Sequence, residues 1–117
     1  MEFKSIEKIT LDEFLNRMKL LPFKKVRERK LCWTKLIKSG KLVCPSTGKE
    51  VAYCSLDEQQ NRAKSKHYNF YSNEGDLFTI DHIHPKSKGG SHTNLSNIQP
   101  MLEKENYKKG NKLNYKY

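Results

Sequence analysis

The sequence predicts an α+β fold, and three observations carry that prediction. Helical periodicity dominates the first third, two extended segments flank a turn beyond the middle, and a helix-favouring run follows a long irregular stretch near the end. A chain of 117 residues suffices for one compact domain with a modest apolar core. We read that domain as a basic helical part (1–43), a knuckle and linker (44–66), and a core (67–117) of a β-hairpin, a long loop and a C-terminal helix.

Thr10 followed by Glu13 is a capping-box pattern, and Leu11, Phe14, Leu15, Met18 and Leu21 then recur on one helical face, which predicts a helix over about residues 10–20. Leu21 and Pro22 interrupt it. A second helical stretch carries Phe23, Val26, Trp33, Leu36 and Ile37 and stops at Ser39 and Gly40. Its other face holds Lys24, Lys25, Arg27, Arg29, Lys35 and Lys38, a row that either follows a phosphate backbone or is a solvated basic face. Residues 44–54 predict a turn at Pro45–Gly48 leading into a short extended piece. Ser55 to Lys66 is polar and weakly periodic, a helical turn or a loop. His67–Tyr71 and Leu77–Ile83 read as the two strands of a hairpin across Asn73, Glu74, Gly75 and Asp76, so that the second strand ends on Asp81 and His82. Pro85 and Gly89–Gly90 then open an irregular loop to about Asn97, and the run from Met101 to Lys109 favours a helix closed by Gly110.

Lys and Arg number 23 against 13 Asp and Glu, a formal net charge of +10, which favours a polyanionic partner over an acidic or neutral surface. The excess sits in the first 43 and the last 37 residues, while the middle is nearly balanced. Three cysteines, an odd number with no secretory signal before them, argue against a disulfide framework and for a reducing cytoplasm, the host's if the chain is phage-encoded. No apolar run is long enough to span a bilayer, so no membrane role is expected.

The chemistry concentrates between Phe78 and Lys112. Four pieces occur in order: Asp81-His82-Ile83-His84-Pro85, Ser87 followed by Gly89-Gly90, Asn97-Ile98-Gln99-Pro100, and Asn106 followed by Lys109-Gly110. Each piece alone is weak, but the ordered set resembles the signature of the HNH endonucleases, and of small free-standing phage or mobile-element enzymes in particular. The resemblance implies a ββα-metal core and a metal-dependent endonuclease that hydrolyses DNA phosphodiester bonds. It makes Asp81 and Asn106 oxygen ligands of a divalent metal, Mg²⁺ with Mn²⁺ or Ni²⁺ as alternatives, since both are hard donors. It makes His82 the general base, a role that suits an imidazole titrating near neutrality. Asn97 becomes the catalytic-loop residue that holds the base-bearing strand end, with Asn94 as the competing assignment.

His84 either touches a phosphate or bonds the loop backbone. Lys86, Lys88, Lys104, Lys108, Lys109 and Lys112 are expected nucleic-acid contacts of a sequence-blind, salt-dependent kind. DNA is the expected partner, with RNA the alternative, and a two-fold dimer would serve an enzyme that cuts both strands. Structural zinc, common beside such sites, is not expected. Met101 and Glu105 stand where a second Cys pair would be, and Cys44 is followed by Thr47 rather than by a partner thiol. The competing function is a catalytically silent or accessory nucleic-acid-binding module of a packaging or restriction assembly.

Overall fold

The computed structural model describes residues 3–60 and 65–110. Its α+β architecture is a five-stranded antiparallel sheet in the order β1-β2-β3-β4-β5, with three helices. The strands are β1 (Phe3–Ile9), β2 (Tyr53–Gln59), β3 (Lys66–Tyr71), β4 (Leu77–His82) and β5 (Ile98–Leu102). The helices are α1 (Leu11–Leu20), α2 (Glu28–Ser39) and α3 (Glu103–Lys109).

The helix signals translate directly into caps. The Thr10 hydroxyl accepts from the Glu13 amide at 3.0 Å and starts α1. Gly40 ends α2 in the left-handed region at φ 74, where a side chain would be strained. The second helix begins later than its apolar spacing suggests, because Phe23–Lys25 forms a separate 3-10 turn after Pro22. Between α2 and β2, the Cys44–Lys49 turn closes through Gly48 N to Cys44 O and Cys44 N to Lys49 O, and Val43 bridges Glu50.

Three expectations need correction. Phe3–Ile9, which fell within the basic helical part (1–43), is an edge strand paired with β2. Ser55–Gln59, read as a helical turn or loop, belongs to β2, and the rest of that stretch includes residues 61–64, which lie outside the described residues. Finally, β4 pairs only at Phe70↔Phe78 and Tyr71↔Leu77 with β3, but over Phe78–His82 with β5. The hairpin expected from 67–83 is therefore short, and the long loop is followed by a strand before the helix. Pro100 sits in β5 without an amide hydrogen to give, which the edge position tolerates.

Alternation along the strands gives the sheet two faces. Phe70, Phe78 and Cys54 point to the side of α1 and α2, where Phe14 meets Phe70 edge-on and Trp33 stacks on it at 4.1 Å. Phe14, Trp33, Leu36, Phe70, Phe78, Ile98 and Met101 are all essentially inaccessible. Burial of an aromatic or aliphatic side chain of this size contributes roughly 1.5–3 kcal/mol each. The opposite face carries polar side chains: Ser55, Asp57, Asn69, Tyr71, Thr79 and Asp81. Helix α3 packs there against Thr79 and Asp81.

Candidate active site

The last two residues of β4 point to opposite sides of the sheet, and that alternation sets up the site. Asp81 turns toward α3 and is buried, 3 % exposed. Its Oδ1 accepts from Lys109 Nζ at 2.8 Å and its Oδ2 from Gln99 Nε2 at 2.8 Å, Gln99 being its cross-strand partner on β5. The same Lys109 ammonium donates to the His82 carbonyl at 2.8 Å, so one cation from α3 fixes both residues. Such a buried pair costs several kcal/mol per ion in desolvation, which the hydrogen bonds must offset. Its main consequence is a defined carboxylate orientation.

His82 turns the other way, toward the 83–97 loop. Its Nε2 lies 2.8 Å from the His92 carbonyl oxygen. A carbonyl can only accept, so the ring donates from Nε2, and in the neutral imidazole the lone pair resides on Nδ1. The loop thus selects the tautomer. The loop in turn is closed by Asn97, whose Oδ1 accepts from the His84 amide at 2.7 Å and whose Nδ2 donates to the His84 and Ser91 carbonyls at 3.1 and 2.7 Å. The Asn97 carbonyl also takes the Ile83 amide at 2.9 Å. Asn94 does something else, capping the 3-10 turn Leu95–Asn97 through the Ser96 amide.

Gly90 explains part of the Ser-x-Gly-Gly piece. A Cβ there would fall 1.8 Å from the His84 carbonyl oxygen and 2.6 Å from its carbon, backbone atoms that cannot step aside. Only glycine lets the loop fold back onto Pro85, whose carbonyl accepts the Gly90 amide.

From the other side, Asn106 on α3 donates from Nδ2 to Thr79 Oγ1 at 2.8 Å and to the Ile80 carbonyl at 3.3 Å. With its nitrogen so engaged, the amide oxygen is the atom left for a ligand. Asp81, His82 and Asn106 together line one hollow of about 320 Å³, with Ile80, Pro85, Lys86, Ser87 and Gly110. A carboxylate, an amide oxygen and an imidazole beside an open cavity make a donor set suited to a small hard cation with free positions for water and phosphate. Among the described residues no cluster of three or more His, Cys, Asp or Glu closes around a metal.

The remaining sequence candidates are dispersed. Lys86 lines the hollow and pairs with Glu28 at 2.9 Å. The His84 ring is exposed and bonds the Lys88 carbonyl at 2.7 Å. Lys88, Lys104 and Lys108 are exposed, Lys108 pairing with Glu105. Lys109, expected as a surface contact for phosphate, is instead 1 % exposed and committed to Asp81. Lys112 lies outside the described residues. Gln99 and Ser87 stood in the motif without an assigned role, and Gln99 falls opposite Asp81 once β5 is paired with β4. At the knuckle, burial alone would raise the Cys44 thiol, yet hydrogen bonds from Ser46, Thr47 and the Leu102 amide bring it below its ordinary value.

Strand, roofing loop and flooring helix define an α+β protein with an acid and an imidazole on successive residues of a strand end, both lining one hollow. A family model described as HNH endonuclease matches residues 53–112, just over half of the chain and all of this site, and the chain belongs to that family. Membership places it among nucleases, a family that generally works with divalent ions. No curated protein and no solved structure matches the chain. No helix among the described residues is long and apolar enough to cross a membrane.

Proposed function

We propose that this chain is an endonuclease that hydrolyses DNA phosphodiester bonds in the hollow between β4, the 83–97 loop and α3. The observation that carries the reading is the His82–His92 hydrogen bond. It commits Nε2 and leaves Nδ1 as the proton acceptor of a ring that lines the same hollow as Asp81.

In this reading His82 takes a proton from the attacking water at Nδ1, and Asn97 keeps the loop closed so that the imidazole holds its direction. Asp81 and the Asn106 amide oxygen would hold a divalent cation, Mg²⁺ first, with Mn²⁺ or Ni²⁺ able to substitute. When bound, that cation supplies charge stabilisation to the phosphate and the departing 3′ oxygen. Gln99 and Lys109 hold the carboxylate in place for it. Because the Lys109 ammonium already offsets the charge of Asp81, the two-oxygen site binds cation weakly by itself and tightly only with substrate phosphate present. Lys86 and Ser87 meet that phosphate at the rim of the hollow. His84, Lys88, Lys104, Lys108 and Lys112 extend the contact along the backbone, giving salt-dependent affinity with little sequence preference.

Incubation of supercoiled plasmid with the protein and Mg²⁺ tests this directly. Nicked or linear product is expected, none in EDTA, and His82→Ala is expected to slow cleavage by at least about 100-fold. Metal-dependent cleavage that survives His82→Ala at full rate would remove this mechanism.

A further inference from the structure

The family match begins at Tyr53, so α2 lies wholly outside it. Yet α2 touches the active-site loop repeatedly. Glu28, Cys32 and Lys35 are spaced i, i+4, i+7 and share one helical face. Glu28 pairs with Lys86 at 2.9 Å and with His92 Nδ1 at 3.5 Å. The Cys32 thiol donates to the His92 carbonyl at 3.5 Å, the same oxygen that accepts from His82 Nε2. Lys35 Nζ donates to the next carbonyl, Thr93, at 2.8 Å, and Lys41, just past the helix, to Leu95 at 3.2 Å. Burial pushes the Cys32 thiol up, which keeps it a protonated donor.

Contacts from Glu28, Cys32 and Lys35 on α2 and from Lys41 just beyond it therefore hold the stretch 92–95. We propose that α2 is a working part of the nuclease centre. Its Glu28, Cys32 and Lys35 act as positioning residues that hold the His92 carbonyl against His82 and so fix the tautomer of the general base. The basic row on this helix is then only partly a nucleic-acid surface: Lys35 is spent internally, on a loop carbonyl. The inference rests on the reading of His82 as the base, but its structural half can be measured without activity.

The test compares wild type with Lys35→Met, Lys35→Arg and Glu28→Gln, the Met variant keeping an unbranched stem without the ammonium. Two readouts are taken: kcat and KM on a DNA duplex with Mg²⁺, and the ¹⁵N NMR signature of the His82 imidazole in metal-free, substrate-free protein. Lys35→Met is expected to lower kcat about 10-fold, the range typical of groups that orient a catalytic ligand, with KM unchanged. It should also erode the Nε2–H tautomer of His82, while Lys35→Arg restores both and Glu28→Gln shows a weaker form of the same pattern. A rise in KM with kcat intact would overturn the proposal and make Lys35 a phosphate contact. So would an unchanged His82 tautomer in all three variants, whatever happens to thermal stability. If wild type cuts no DNA, the nuclease reading fails, and the NMR readout still decides whether α2 controls the ring.

Discussion

Two carboxylates are buried on the same face of the sheet, and they live in opposite chemical company. Asp57 on β2 is 1 % exposed and receives neutral donors among the described residues: the Ser55 hydroxyl at 2.5 Å, Asn69 Nδ2 at 2.9 Å, and the Tyr71 hydroxyl. Asp81 on β4 is 3 % exposed and receives a buried ammonium and an amide, at the wall of an open hollow. The first arrangement is a rivet between strands that reaches Ser5 Oγ on β1 through Ser55, and Arg29 on α2 through Asn69 Oδ1. The second is a carboxylate held by an ammonium and an amide at the wall of a hollow. Burial alone therefore does not distinguish the two carboxylates; the partners and the neighbouring cavity do.

Lys109→Met sharpens the contrast most. Removing one member of a buried ion pair costs about 3–5 kcal/mol, so equilibrium urea unfolding should show a loss of that order, with cleavage falling as well. Gly90→Ala strikes the site through the backbone, since the new methyl must displace the His84 carbonyl. Cleavage should drop about 100-fold from loss of loop geometry, with a smaller fall in thermal midpoint. Tyr71→Phe strikes the rivet. Burial first, and then the bond to Asp57, hold the Tyr71 hydroxyl well above its ordinary value. Deleting it should cost about 1–2 kcal/mol of stability and leave kcat unchanged.

The smallest effect concerns alkali. Burial pushes the Cys54 thiol from its ordinary 9.0 up to about 12. The folded state thus keeps a proton that the unfolded chain releases above about pH 9, so this contribution is whole below that value and is lost as pH rises toward 12. Cys54→Ala should flatten the alkaline limb of a stability–pH curve, and an unchanged slope would contradict the assigned burial.

The same contrast explains what the sequence could and could not tell. Thr10, Gly40, the Pro45–Gly48 turn and the apolar rows of α1 and α2 are local signals, and each maps onto an observed cap, turn or buried face. Strand β2 escaped notice because its inward positions are Ser55, Asp57 and Gln59, so the period-two apolar pattern that announces a strand is absent. Their burial depends on partners far along the chain. Apolar residues at 3, 6 and 9 hid β1 in a spacing that fits neither helix nor strand, and Pro100 disguised β5. At the site, Asp81, His82 and Asn106 were legible as a motif, and they line one hollow. The roles of Lys109, Gln99 and the loop-facing side of α2 were not, because a lysine reads as surface until its carboxylate partner is located, and Glu28, Cys32 and Lys35 gain meaning only from loop partners some 60 residues away.

The most direct test of the account is a ratio of single-turnover cleavage rates, per folded molecule and with Mg²⁺, for Asp81→Asn and Asp57→Asn. The account predicts loss of at least about 100-fold for the first and near wild-type cleavage for the second. Equal rates in the two variants would show that the hollow at the end of β4 is not where the bond is broken.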